Sequence, residues 1–165
     1  MNKFQIVDNF LEVDQYKYLH DLMTNDAFPW FYQPEINYHH THKKDLTCYF
    51  THTFYNEYQP NSNFYNDIKV FVNKLEMKAI IRIKGNCYPR THKIEQHKDH
   101  VDYPYEHRAA IYYINDCNGF TILEDGTKIE SKANRLLLFE GHKAHRSTST
   151  TNAKARFNIN FNFFI

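Results

Sequence analysis

The sequence predicts a mainly β fold: a double-sheet jelly roll with N-terminal helices packed on the outer face of one sheet. Three observations point to it. Aromatic residues make up 17% of the chain, with 13 Tyr and 14 Phe, and aromatic side chains favour pleated, half-buried surfaces. Both segments with helical spacing of apolar residues fall before residue 79. From Ala79 onward the chain reads as roughly seven strands separated by turn signals, the spacing of a sandwich or roll.

At 165 residues the chain is long enough to bury about 70% of its unfolded surface without cross-links. It is expected to form a single domain, 1–165, with 1–78 as a helical and aromatic support segment and 79–165 as the jelly-roll core. The formal net charge is +1, from 20 basic and 19 acidic residues, so nucleic acid is not an expected partner. Cys48, Cys87 and Cys117 are too far apart for a Cys-x-x-Cys arrangement, which argues against a disulfide framework and fits a reducing compartment. Met1 to Phe10 has no apolar core and carries Asp8, so no signal peptide is expected. No apolar run approaches the roughly 20 residues of a membrane span. A soluble, cytoplasmic protein is the expectation.

Phe4 to Val7 reads as a short strand. Tyr16, Leu19, Leu22 and Met23 follow helical spacing and predict a helix from Val13 to Thr24. Phe28 to Tyr32 surrounds a proline, which confines it to an edge strand or loop. His39, His40 and His42 crowd the next segment. Adjacent ligands seldom share one tetrahedron, so a polar loop able to cover a pocket mouth is expected there rather than a zinc site. Cys48 to Tyr55 reads as a strand. Ser62 can cap a helix whose apolar positions Phe64, Ile68, Phe71, Val72 and Leu75 form one stripe. Strands are then expected at Ile81 to Ile83, Ala109 to Ile114, Phe120 to Leu123, Lys128 to Ser131, Arg135 to Phe139, His145 to Ser149 and Arg156 to Phe164. The turn Glu124-Asp125-Gly126-Thr127 joins two of them.

The last strand places Phe157, Ile159, Phe161 and Phe163 on one face and Arg156, Asn158, Asn160 and Asn162 on the other. Two readings fit: an antiparallel strand with a wet face, or a strand whose polar face lines an open barrel. An arginine inside a barrel needs an anionic partner, which a ligand carboxylate would supply.

His100-Val101-Asp102 aims an imidazole and a carboxylate at one point if the backbone is extended. At this composition chance gives roughly 0.7 His-x-Asp matches, and there are two, because His97-Lys98-Asp99 also fits. The second pair stands directly before the Tyr-Pro turn into strand Ala109 to Ile114 and is preferred for that reason. His107 and His142 fall in a loop and a turn, whereas His145 opens a strand that returns to the mouth of the roll. Two histidines and one carboxylate form the ligand triad of non-haem ferrous iron, with open positions for a bidentate co-substrate and O2. Arg156 follows His145 by one hairpin and Tyr113 lies on the strand after His100-Val101-Asp102; together they describe a pocket for the far carboxylate of a dicarboxylic keto acid.

The run of His100-Val101-Asp102, Ala110 to Asn115, Glu124-Asp125-Gly126, Asn134 to Phe139, His145 and Arg156 resembles the 2-oxoglutarate and iron-dependent oxygenases. Cys87-Tyr88-Pro89 ahead of it is similar to their prolyl 4-hydroxylase-like branch, in its short viral and bacterial form. The resemblance implies a double-stranded β-helix with Fe(II) held by His100, Asp102 and His145. It implies that Arg156 and Tyr113 grip the distal carboxylate of 2-oxoglutarate, that Tyr88 lines the co-substrate pocket and that Asn160 assists there. It implies hydroxylation of a prolyl residue, another peptide or amino acid, or a small molecule, consuming O2 and releasing succinate and CO2. Ascorbate would act as a supporting reductant, and no general base is required. Two alternatives stand beside this reading: a cupin-like jelly-roll module binding a non-redox metal, and an oxygenase acting on nucleic acid bases.

Overall fold

The computed structural model describes residues 4–34, 36 and 48–165; the segment with His39, His40 and His42 lies outside the described residues. Eleven strands, two α-helices and one 3-10 segment succeed one another among them. The larger sheet has eight strands. Its path runs β1 (Phe4–Val7), β9 (Arg135–Glu140), β6 (Arg108–Tyr113), β11 (Ala155–Phe164), β5 (Ala79–Pro89), β3 (Tyr49–Asn56) and β2 (Phe31–Gln33), with β4 (Gln59–Pro60) also paired to β3. The smaller sheet is β10 (His145–Ser147), β7 (Phe120–Leu123) and β8 (Lys128–Glu130). Every pairing within these sheets is antiparallel. This is the expected two-sheet roll, and its sheets define an inner and an outer side.

The outer side of the larger sheet carries α1 (Val13–Thr24) and α2 (Lys69–Lys74). Leu19 and Met23 of α1 and Phe71 of α2 pack on Tyr112 of β6 and on Ile159, Phe161 and Phe163 of β11. The Phe71 ring lies 4.7 Å from Tyr112 and 4.8 Å from Phe161. Burying an aromatic or large aliphatic side chain stabilises by about 1.5–3 kcal/mol, so this layer is what anchors β11 in place. A second apolar cluster, with Ala109, Ile111, Leu123, Leu137 and Phe139, fills the space between the two sheets at one end.

Two local differences from expectation have physical reasons. The single helix expected after Ser62 is a 3-10 segment, Asn63–Ile68, followed by α2. Asn63-Phe64-Tyr65-Asn66-Asp67 contains only weak helix formers, and the Ser62 hydroxyl accepts from the Phe64 amide at 3.0 Å, which tightens the turn. The support segment is also less separate from the roll than its helices imply: β1 adds to β9, and β3 pairs with β5. Asn134 ties the first of these ends down. It adopts a left-handed φ of 58°, accepts from Leu11 N at 2.9 Å and donates to Leu11 O at 2.8 Å. Among the described residues no helix is long and apolar enough to cross a membrane.

Candidate metal centre and carboxylate pocket

The polar face of β11 points into the roll. Arg156 and Asn162 are 0% exposed, and Asn158 and Asn160 are buried beside them. Of the two readings of this strand, the barrel interior is the one observed.

Two of the expected metal ligands meet through the backbone. The segment before β6 runs alongside β10, and His100 and His145 form an antiparallel bridge with His100 N donating to His145 O at 3.0 Å and His145 N to His100 O at 2.9 Å. Their rings lie 4.5 Å apart. Asp102, two residues on, is fixed by its amide on Gly141 O at 3.2 Å, which brings its carboxylate against both rings. His100 Nε2 is 3.9 Å from Asp102 Oδ1, and His145 Nε2 is 3.8 Å from Asp102 Oδ2. One ligand atom from each residue lies within 4.8 Å of the others.

The protonation states suit a cation. His145 Nδ1 faces Lys143 O at 3.0 Å and His100 Nδ1 faces Lys98 O at 3.4 Å. A proton on each Nδ1 leaves both Nε2 lone pairs free for a metal. Burial, with the charge of His145 adding to it, pushes His100 down to about 4, so its ring is neutral near pH 7. Burial opposes the charge of Asp102, yet His145, Arg82 and His100 around it hold the carboxyl below its ordinary range. A triad of two imidazoles and one carboxylate matches the donor set of Fe(II) in non-haem oxygenases.

Asp102 is oriented by a chain of hydrogen bonds. Asn160 Nδ2 donates to Asp102 Oδ2 at 3.2 Å, Asn162 Nδ2 donates to Asn160 Oδ1 at 2.7 Å, and Asn162 Oδ1 meets His107 Nε2 at 2.9 Å. Arg82 Nη2 donates to Asp102 Oδ1 at 3.3 Å. Asn160 therefore reaches the carboxylate of Asp102. His107, expected as a mere loop residue, is buried at the far end of this chain.

Arg156 lies deeper. Its Nε donates to Ser131 Oγ at 2.6 Å, Nη2 to Thr121 Oγ1 at 3.0 Å, and Nη1 to Ser147 Oγ at 3.3 Å and Thr148 O at 3.4 Å. The guanidinium sits 5.6 Å from the ring centres of both Tyr88 and Tyr113. The Tyr113 hydroxyl donates to the same Thr121 at 2.8 Å. All these partners are neutral, and among the described residues no carboxylate pairs with Arg156. A fully buried guanidinium held only by hydroxyls, a carbonyl and ring faces is poised for an anion. Burial pushes both tyrosines above their ordinary range, which keeps them as neutral donors.

Between the triad and the arginine lies a cavity whose wall includes Tyr88, Ser147, His100, Asp102 and Asn160. Two residues of this wall also touch Arg156, Tyr88 through its ring face at 5.6 Å and Ser147 through its hydroxyl at 3.3 Å. The competing pair separates: His97 is buried with Nδ1 on Ser147 Oγ at 3.0 Å, while Asp99 turns outward to Arg146 Nη1 at 2.7 Å. Arg82, Asn162, Thr121, Ser131 and Ser147 were not singled out from the sequence. Of these, only Asn162 carried a signal, its parity with Arg156 and Asn160 along β11.

No family model and no curated protein matches the sequence. Solved structures do match. A prolyl hydroxylase from Trichoplax adhaerens, in complex with a hypoxia inducible factor oxygen degradation domain peptide, superposes with a TM-score of 0.70 at 15% identity over 99% of this chain and 84% of its own. The viral collagen prolyl hydroxylase of Paramecium Bursaria Chlorella virus-1, as its 2OG complex, gives 0.61 at 13% identity over 98% of this chain and 95% of its own. An oxidoreductase of the 2OG-Fe(II) oxygenase family from Burkholderia pseudomallei gives 0.70 at 8% identity over 98% of this chain and 85% of its own. The likeness spans nearly the whole chain, N-terminal segment included, and the chain has the fold of the prolyl hydroxylases and other 2OG-Fe(II) oxygenases.

Proposed function

We propose that this protein is a 2-oxoglutarate- and Fe(II)-dependent oxygenase that hydroxylates a substrate presented over His100, Asp102 and His145, residues 1–165 acting as one domain. The observation that carries this reading is the pairing, in one interior, of a two-histidine, one-carboxylate cluster with a fully buried arginine whose partners among the described residues are all neutral. When bound, iron supplies the redox chemistry by which 2-oxoglutarate and O2 become succinate and CO2 as one oxygen atom enters a substrate C–H bond. The chain supplies binding and orientation. Arg156 takes the distal carboxylate of 2-oxoglutarate, with the Tyr113 phenol beside it. Tyr88 lines the co-substrate's path. Asn160 and Arg82 hold the Asp102 carboxylate in the attitude that faces both histidines. The apolar cluster between the sheets keeps bulk water from that end of the site.

Titration of the purified protein with Fe(II), ascorbate to keep it ferrous, 2-oxoglutarate and O2 should release succinate slowly even without a primary substrate. His100→Ala and His145→Ala should abolish it. Succinate release that persists in both variants would overturn the ligand assignment, and metal binding without any succinate release would favour the cupin-like module. The peptide-bound prolyl hydroxylase among the structural neighbours makes a prolyl peptide the first substrate to try, with free amino acids next and nucleic acid bases last, given the near-neutral charge of the chain.

A further inference from the structure

Beside the triad, the inner face of the larger sheet carries two cations: Arg82, which also holds Asp102, and Lys84, to which the proposed iron and 2-oxoglutarate chemistry gives no role. Arg82 and Lys84 alternate with Ile81 and Ile83 on β5, so both project from one face. Lys84 lies opposite Thr53 on one side and Asn160 on the other. It lines the inner cavity together with His100, Asp102 and Asn160, and also the wider cleft outside, where Arg82, Thr51 and Thr53 join it. It is therefore positioned where anything entering from the cleft meets the metal ligands.

Among the described residues, neither cation has an anionic partner apart from the Asp102 carboxylate that Arg82 touches. Lys84 makes no hydrogen bond or ion pair with a described residue; its ammonium stands 5.7 Å from the Tyr49 ring centre, a weak contact. Burial, with Arg82 nearby, pushes it down to about 8. Among the described residues, the only carboxylate that Arg82 touches is Asp102, the residue assigned to the metal, and none pairs with its buried Nε. Asp102 is also the only acidic residue among the described residues lining the cleft and cavity. With Asp102 engaged by a divalent cation and dianionic 2-oxoglutarate opposite, these two half-buried side chains have no carboxylate left to them among the described residues. Such charge is costly unless an anion arrives to meet it.

We propose that the substrate itself is an anion, presenting a carboxylate or phosphate to Lys84 and Arg82 at the cleft mouth with the hydroxyls of Thr51 and Thr53 as neutral donors. This rests on the oxygenase reading for what happens next, but the charge selection is a property of the cleft. A neutral or cationic analogue of the same shape leaves the lysine unpaired or repelled, so discrimination arises by leaving a buried charge unsatisfied as well as by attraction.

The test uses the whole protein loaded with Mn(II), a redox-silent stand-in, and saturated with 2-oxoglutarate. Proton relaxation of added probes then reports how closely each approaches the metal. The probes are matched pairs, glutamate against glutamine and phosphoserine against serine, which also separate carboxylate from phosphate. At least one acid should relax several-fold more strongly than its neutral partner. Lys84→Met should reduce that acid to the level of its partner, Lys84→Arg should preserve the difference, and Arg82→Gln should reduce it if Lys84→Met fails to fold. Equal relaxation within both pairs of the wild type, or a preference unchanged in the variants, would overturn the proposal. So would a Lys84→Met variant that needs tenfold more 2-oxoglutarate while treating acid and neutral probes as the wild type does, because Lys84 would then serve the co-substrate. Succinate release by the Fe(II)-loaded wild type is measured alongside: its absence defeats the oxygenase reading alone, since the relaxation comparison is decided independently.

Discussion

The two faces of β11 differ in what they are for. One face, Phe157, Ile159, Phe161 and Phe163, lies beneath the helices; the other, Arg156, Asn158, Asn160 and Asn162, is buried almost as completely inside the roll. The outer face is apolar and satisfied by packing. The inner face is polar and satisfied by hydrogen bonds, except at Arg156, whose charge meets no carboxylate among the described residues. The difference shows that burial alone does not distinguish a structural from a functional row. What distinguishes them is whether the buried groups are electrostatically complete without a ligand.

Substitutions on the two faces should separate stability from binding. The largest effect is expected outside. Phe161 is fully buried against Phe71, and Phe161→Ala should lose about 3–5 kcal/mol, a large part of the stability of a domain of this size. Urea unfolding would show it, and a loss below 1 kcal/mol would mean that the helical layer does not hold β11. A smaller and more selective effect is expected inside. A Cβ on Gly119 would sit 2.6 Å from Arg156 Cδ and 2.6 Å from Ser149 O, so Gly119→Ala must displace the arginine stem. The half-saturating concentration of 2-oxoglutarate should rise several-fold in a binding titration while metal affinity stays within twofold. Equal losses of both would blur the distinction between the two ends of the site.

The smallest effect is one of pH. In the metal-free protein His100 is held down to about 4, against about 6.5 in the unfolded chain. Between those values the unfolded chain binds the extra proton, so stability is complete above the unfolded value and erodes as the pH falls from about 6.5 toward 4. His100→Asn should flatten that slope of the unfolding midpoint, whereas a substitution on the apolar face should leave it unchanged. An identical slope in His100→Asn would assign the pH dependence to other groups.

Much of this arrangement was legible in the residues, and what was not legible was non-local. The alternation of β11 revealed two faces, but period two says nothing about what covers each; only the arginine hinted that the polar side was enclosed. His97-Lys98-Asp99 and His100-Val101-Asp102 are the same pattern three residues apart. What separates them is the bridge between His100 and His145, a contact across 45 positions that no local rule encodes. The boundary near residue 79 followed the composition, yet β1 and β3 find their partners far along the chain. Thr121, Ser131 and Ser147 converge on Arg156 from three different segments; each is a commonplace residue on its own.

The central claim is that the unpaired charge of Arg156 exists to receive a carboxylate. The most direct measurement is anaerobic titration of the Fe(II)-loaded protein with 2-oxoglutarate, followed by the visible charge-transfer band that chelation produces, for the wild type and Arg156→Gln. Losing a buried charge-assisted pair costs about 2–5 kcal/mol, so half-saturation should rise at least tenfold in Arg156→Gln while Fe(II) affinity is retained. The metal-free variant should be no less stable than the wild type, since an uncompensated buried cation has been removed. Unchanged half-saturation, with the variant folded and iron-loaded, would contradict the claim.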